Sequence, residues 1–451
     1  MKVAKFGGSS VANAEQLKKV ARIIQADSSR RVVVVSAPGK RDNADIKVTD
    51  LLIKLGEAYR HGQNYQAELT AVIARFQSII SDLNLSGRVL TDINDDVNAI
   101  IASDETIESK LEAIKAIGED ALAKVLSEYL VSLGIKATYL NPKDAGIILS
   151  DQPGSAQILN ESFTKLYQLR ERNNIVVIPG FFGYTKKGKL VTFSRGGSDI
   201  TGSIVAAGVK ADLYENFTDV DSVYCVSPQI VNQPKEITEL TYKEMRELSY
   251  AGFSVFHAEA LIPAVKAKIP VCIKNTNNPN GSGTFIVSEK RVKGNPVVGI
   301  ASDKGFMSLY VSKYLMNREI GFGRRLLNIL EDEGISFEHT PSGIDDLSVI
   351  LRADQMTPEK EQTVIDRIKR ELEPDLVHTR RGLALIMIVG EEMHSYIGTA
   401  ARATKAFVDA KVNIEMINQG SSEVSLMFGI KEEAVDRAVQ SLYQAFFIES
   451  F

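Results

Sequence analysis

The chain has 451 residues, more than one hydrophobic core can organise, so two or three domains are expected. Hydrophobic residues make up 44% and charged residues 24%, and a net charge of -4 without a long basic run excludes a nucleic-acid-binding stripe. Only Cys225 and Cys272 occur, in no metal-ligand spacing, no apolar run nears the roughly 18 residues of a membrane span, and the chain opens directly on a strand pattern without a leader; a cytoplasmic protein with no nucleic-acid or membrane partner and no protein-held metal is expected.

Lys2 to Phe6 reads as a short strand and Gly7-Gly8-Ser9-Ser10 as a glycine turn. Leu17, Val20, Ala21 and Ile24 then mark one helix face, and Arg31 to Ser36 is an apolar strand of the kind buried in a parallel sheet. This is a parallel β-α-β unit with an anion site at its first turn. It has neither the G-x-G-x-x-G spacing of a dinucleotide fold nor the Lys-Ser/Thr of a Walker loop. After a loop, Ser36 to Arg41, a helix start at Lys47 to Asp50 opens a stretch that is almost wholly helical to about Leu133. Gly118 interrupts a good helix there, and Glu119 reads on its own as a solvated helix charge.

Strand–helix alternation resumes at Ala137 to Leu140. The strand Ile175 to Ile178 ends at Pro179-Gly180-Phe181, the end that lines ligand sites in open α/β sheets. Tyr184 to Lys189 is a hairpin tip. Arg195-Gly196-Gly197-Ser198-Asp199 then leads into a helix to Gly208. In isolation this is a capped helix after a strand. The similar first turn, and the acidic stretch Asn216 to Tyr224 after a strand end at Leu213 to Asn216, make it a candidate site. A helix at Tyr242 to Leu248, a glycine-marked helix start at Ala251 to His257, a buried strand at Pro270 to Lys274 and a turn-rich loop to Gly283 precede a linker at Gly294-Asn295-Pro296.

Beyond the linker the chain repeats. Ile335-Ser336-Phe337-Glu338 aligns with Val412-Asn413-Ile414-Glu415, and Asp346 to Ile350 with Glu423 to Met427, each copy flanked by helices. Each reads β-α-β-β-α-β, a small ferredoxin-like unit, so the two form a paired module that could pack face to face, or a duplicated dimerisation domain with no ligand.

Two glycine turns at strand-to-helix junctions, with Lys5 beside one and Arg195 beside the other, suit a polyanion, and phosphoryl transfer asks for cations, N–H groups and a positioned nucleophile. Asp199 is placed to hold Lys5, and Thr218 and Asp219 to reach a nucleoside or Mg²⁺. The residues alone indicate a nucleotide-binding α/β enzyme and leave the substrate open.

Lys5-Phe6-Gly7-Gly8-Ser9-Ser10, Arg195-Gly196-Gly197-Ser198-Asp199 and Thr218-Asp219-Val220-Asp221-Ser222-Val223-Tyr224 together resemble aspartate kinase, of the amino acid kinase superfamily. The resemblance covers the whole chain, in the monofunctional form. It implies an αβα sandwich catalytic domain at 1–295 and two ACT units, at 300–380 and 381–451. It implies ATP-dependent phosphorylation of the L-aspartate side-chain carboxylate, the first step towards lysine, threonine and methionine, with Mg²⁺ carried by the nucleotide. Lys5 would contact the transferring phosphate, with Gly7, Gly8 and Ser9, and Asp199 would orient Lys5. Arg195, Gly196, Gly197 and Ser198 would hold aspartate, with Glu119 on its amino group and Ser36 and Thr49 on the same side. Thr218, Asp219 and Tyr224 would bind the nucleotide, with Gln229, Ser254 and Val255 in the same subsite. Gln229 and Ser254 stand where the family often has cations; Lys40, Lys274 or Arg291 is left to compensate. The ACT pair implies feedback by lysine or threonine and a homodimer or dimer of dimers. The loop Met316 to Phe322, through Met316, Asn317, Ile320, Gly321 and Phe322, would take the effector's carboxylate, and Ser336, Phe337 and Glu338 its other side, with Glu338 on the ammonium group. The second copy, acidic at Glu391-Glu392, would pack instead. Rival readings are another carboxylate or carbamate kinase of this fold, and an inactive amino-acid sensor.

Overall fold

The computed structural model describes residues 1–194, 196–253, 258–290, 295–420 and 424–449. Arg195, Ser254, Val255, His257, Arg291 and Glu423 lie outside the described residues. The chain divides into two compact units, Met1–Val223 with Glu236–Met245 and Ser254–Arg291, and Tyr224–Lys235 with Arg246–Phe253 and Val292–Phe451.

The first unit is built on an eight-stranded sheet. In spatial order its strands are Glu239–Thr241, Thr284–Val287, Val271–Asn275, Leu213–Thr218, Lys2–Phe6, Arg30–Val35, Ile175–Pro179 and Ala137–Tyr139. Neighbours from Val271–Asn275 to Ala137–Tyr139 are parallel, and Thr284–Val287 runs antiparallel to Val271–Asn275. Strand alternation sorts the two faces. Phe6, Val33, Val35, Val177 and Phe217 share one core with the helices Ala14–Gln25 and Ile107–Ser132. Lys5 and Asn216, partners in register, belong to the other face, against which the helix Gly197–Gly208 packs.

The apolar strands carry a buried ion pair. Glu215 receives both a 2.6 Å and a 2.9 Å bond from Arg30, whose third donor reaches the Ile23 carbonyl at 2.6 Å. This pair cross-links the central strands beneath Phe217, which stacks on Phe6 at 4.9 Å. The helix Ile107–Ser132 is continuous across Gly118, contrary to the interruption expected. A Cβ at Gly118 would lie 2.7 Å from that of Ala37, so this glycine marks close packing rather than a break.

The second unit carries a five-stranded antiparallel sheet, ordered Asp346–Arg352, Gly299–Ser312, Leu376–Val389, Ser425–Lys431, Met416–Gln419. Two strands are long. Met307–Ser312 pairs with Asp346–Leu351 and Leu376–Arg381, whereas Gly299–Asp303 pairs with Leu385–Val389, which also pairs with Ser425–Gly429. A strand of the second copy is therefore supplied by residues at the start of the segment expected to form the first copy. Gly305 and Gly382, at φ 88° and 77°, sit where each long strand passes from one copy to the other. The first copy's strand expected at Ile335 to Glu338 is reduced to isolated bridges at His339 and Ser342. No helix among the described residues is long and apolar enough to cross a membrane.

Candidate active site

At the C-terminal ends of the central strands of the first unit lies a cleft of about 1190 Å³. Its floor is made by the two glycine turns. The N–H of Gly7 donates to the Phe217 carbonyl at 3.0 Å and that of Ser36 to Phe6 at 3.1 Å, which joins three strand ends. The second turn enters its helix through Gly196 in the left-handed conformation, φ 77°. Gly180 lies so near this helix that a Cβ would sit 2.7 Å from that of Ser198. The Thr201 hydroxyl accepts from the Phe181 N–H at 3.0 Å and donates to the Gly197 carbonyl at 2.9 Å. The turn Pro179-Gly180-Phe181 and the helix N-terminus are thereby one construction.

Lys5, 5% exposed, donates to Asp199 Oδ1 at 2.5 Å. The same oxygen accepts from Asn216 Nδ2 at 2.8 Å, and the Asp199 carbonyl accepts from the buried Tyr214 hydroxyl at 3.2 Å. A Cβ on Gly202 would strike that hydroxyl at 2.4 Å, so the glycine lets the helix settle on Tyr214. Asn216 is a functional candidate that the sequence reading passed over. Its signal is a polar side chain in the buried run Leu213–Thr218, one place before Phe217 and in register with Lys5.

Gly8, Ser9, Ser36, Thr49, Glu119, Gly196, Gly197, Ser198 and Asp219 line the same cleft. Glu119 is not a solvated charge: it is 4% exposed, its Oε2 has no hydrogen-bond partner among the described residues, and burial pushes its pKa up to about 8 against the opposing pull of the Ala37 N–H. Isolated sequence reading failed here because the helix is buried nearly all round. Lys115, also in the cleft, is held by Glu112 at 2.5 Å, and Glu112 in turn accepts from the Thr192 N–H at 2.9 Å and hydroxyl at 2.6 Å. Thr218 donates to Asp219 at 3.2 Å, while Asp221 is fixed by Asn275 and Asn278, both at 3.1 Å, tying the acidic turn to the turn-rich loop. Tyr224 and Gln229 belong to the second unit. Cys225 and Cys272 are buried thiols pushed up to about 12 by burial, too weakly acidic for nucleophilic work.

In the second unit, Met316 and Phe322 are buried and Ile320 is fully exposed, on a loop that enters the helix Phe322–Asp332 through Gly321 at φ 81°. The Asn317 N–H donates to the Ile344 carbonyl at 3.1 Å. Ser336 donates twice to Gln355 at 2.9 Å, and Phe337 is exposed. The Glu338 carboxylate is already engaged, by the Tyr250 hydroxyl and by Arg352 at 3.9 Å.

Comparison with known proteins meets this geometry. Residues 1–275 match the amino acid kinase family and residues 386–446 an ACT domain. Aspartokinase 3 of Bacillus subtilis is 57% identical over 448 residues, 99% of each chain. The crystal structure of Clostridium acetobutylicum aspartate kinase superposes with a TM-score of 0.89 at 37% identity, over 99% of this chain and 100% of that one. Escherichia coli aspartokinase III, solved with aspartate and ADP and again with lysine and aspartate, shares the fold at 24% identity, with TM-scores of 0.76 and 0.77 over 99% of this chain and 100% and 99% of those chains. With both glycine turns, the Lys5–Asp199 pair and the duplicated C-terminal unit in place along an alignment that leaves almost no residue out, the chain belongs to the aspartate kinases of the amino acid kinase family.

Proposed function

We propose that this aspartate kinase transfers the γ-phosphoryl group of ATP to the side-chain carboxylate of L-aspartate, giving 4-phospho-L-aspartate and ADP, within a catalytic unit over 1–295. The observation that carries the reading is the cluster Lys5–Asp199–Asn216 at the junction of both glycine turns, with one Glu119 carboxylate oxygen, Oε2, unpartnered among the described residues in the same cleft. A carboxylate nucleophile is ionised at neutral pH and needs no general base. Its oxygen attacks phosphorus in line, the bond to the bridging oxygen breaks, and that electron pair stays on ADP. Lys5, with the N–H of Gly8 and with Ser9 at the turn that Gly7 opens, meets charge gathering on the phosphoryl oxygens, and Asp199 with Asn216 keeps Lys5 aimed. Glu119 takes the substrate ammonium, its Oε2 gaining the partner it lacks. Arg195 takes a substrate carboxylate, with Ser36, Thr49, Gly196, Gly197 and Ser198 around it.

Thr218, Asp219 and Tyr224 bind the nucleotide, joined by Gln229, Ser254 and Val255. Mg²⁺ would be held by the phosphates, with Asp219 as an exposed carboxylate of the cleft, and would supply charge neutralisation when bound. The two ACT units, 300–380 and 381–451, make the enzyme a homodimer or dimer of dimers answering to lysine or threonine in the cytoplasm. That effector reading draws on the lysine-bound relative and uses the loop Met316 to Phe322 with Ser336, Phe337 and Glu338. The test is aspartate-dependent ADP release, run beside other carboxylate acceptors and with lysine or threonine added. ADP release with a different acceptor but not aspartate would reject the substrate; none with any acceptor would make the unit a sensor.

A further inference from the structure

The cleft loop from Pro38 to Lys47 is built around a residue that the roles above do not use. Arg75, on the helix Gln66–Asp82, is 5% exposed. Its guanidinium donates to the carbonyls of Gly39 at 2.7 Å, Ile46 at 2.8 Å and Ala12 at 3.4 Å, and pairs with Asp45 at 2.8 Å. Asp45 also accepts from the backbone N–H and guanidinium of Arg41, at 2.9 to 3.0 Å. Both arginines are therefore consumed within the loop. Its base is fixed to the first glycine turn: the Gly39 N–H donates to the Gly8 carbonyl at 2.9 Å, and a Cβ on Gly39 would come within 2.6 Å of the Gly8 carbonyl carbon. Next in the chain is Lys40, which is exposed, lines the cleft, and makes no ion pair with the described residues. Of the other cations considered as replacements at the nucleotide, Lys274 lines a different pocket with Lys19 and Arg22, and Arg291 lies outside the described residues.

We infer that Lys40 contacts the polyphosphate of the nucleotide and that Arg75 is the positioning residue that holds it there; this rests on the kinase reading above. A lysine serves phosphate as a mobile point charge, and anchoring its backbone to the glycine turn puts that charge beside the N–H groups that meet the same anion. The buried fork of Arg75 gives a loop without regular structure two fixed ends, so the lysine is delivered to one place. Arg41 cannot take this role while Asp45 holds it.

The test is steady-state kinetics on the full chain with ATP and aspartate varied separately, together with ADP titration by calorimetry. Lys40→Met should raise the KM for ATP and weaken ADP about tenfold, the scale of a charged hydrogen bond, with the KM for aspartate changed less than about twofold. Lys40→Arg should restore most of the loss. Arg75→Lys keeps a charge but not the fork, and should reproduce the ATP-side defect while still unfolding cooperatively; should it fail to fold, the exposed Lys40 decides. An unchanged ATP KM and ADP affinity in Lys40→Met, or a rise confined to aspartate, overturns the inference while the wild type's aspartate-dependent ADP release keeps the kinase reading. Should the wild type show no such release, that reading fails and the ADP titration still settles Lys40.

Discussion

Glu119, proposed above as the partner of the substrate ammonium, would make substrate recognition depend on pH. Its carboxyl is buried, one oxygen has no partner among the described residues, and its pKa is raised to about 8. The nearest cation lining the cleft on the same helix, Lys115, is occupied by Glu112. At pH 7 such a group is about one-tenth ionised, and at pH 9 about nine-tenths. If only the ionised form receives the aspartate ammonium, apparent affinity follows that fraction, and the KM for aspartate should fall about tenfold from pH 7 to pH 9 while the KM for ATP does not. Calorimetry in buffers of different ionisation enthalpy should show nearly one proton released per aspartate bound at pH 7. Stability carries the opposite sign. The folded pKa lies above the unfolded value of 4.5, so the ligand-free fold holds more protons between pH 4.5 and about 8 and loses stability as pH rises through that window. The loss runs at about 1.4 kcal/mol per pH unit. Glu119→Gln should match the wild type in Tm near pH 4, exceed it at pH 8, and bind aspartate poorly without a pH slope. A wild-type aspartate KM that stays flat from pH 7 to 9 would refute the reasoning, as would a Gln variant no more stable at pH 8.

Three further outcomes are expected. Asn216→Ala removes one of the two donors on Asp199 Oδ1 and should lower kcat about tenfold or more with little change in Tm, since Lys5 then loses its aim; an unchanged kcat would make Asn216 structural. Arg30→Met leaves the buried Glu215 carboxylate with Lys2 at 4.0 Å in place of two direct bonds and should cost about 3–5 kcal/mol in urea unfolding, part of which Glu215→Gln in the same chain should recover. Tyr250→Phe frees the Glu338 carboxylate from a hydroxyl. It should sharpen inhibition by lysine or threonine several-fold, a shift on the scale of one hydrogen bond, while Glu338→Ala relieves it without changing uninhibited turnover; inhibition equal in both variants and wild type would remove Glu338 from the effector site.

The parts of the catalytic unit legible in the sequence were those whose signal is local. A strand followed by paired glycines and a hydroxyl-rich helix start announces an anion site, and both turns stand where expected. Pairing of Lys5 with Asp199 was also legible, because two such turns in one parallel sheet must face a shared end. Residues that act at long range were not. Arg75 sits on a helix whose pattern gives no reason to look at its arginine, and its partners are backbone carbonyls, which leave no mark in side-chain identity. Glu119 read as an ordinary surface charge because a helix buried nearly all round has no polar face to contrast with it. Glu215 and Asn216 did leave a trace, two polar residues side by side in a central strand. Alternation sends one to each face, so one serves the fold and the other the site.

The C-terminal repeat shows a different limit. Aligned sequence gives two copies in series, each complete. Three-dimensional pairing interleaves them, because Gly299–Ser312 and Leu376–Val389 each serve both copies. The clue is a glycine after a charged pair inside each long strand, Gly305 after Asp303-Lys304 and Gly382 after Arg380-Arg381, at positive φ with open space where a Cβ would stand. No described atom crowds these positions, so conformation alone demands glycine, and the demand arises where each long strand turns in passing from one copy's part of the sheet to the other's. The dividing point between residues 380 and 381 falls inside Leu376–Val389, one residue from Gly382. A displacement of the first copy, by effector or otherwise, therefore acts on a strand that continues covalently into the second, without any intervening linker to absorb it.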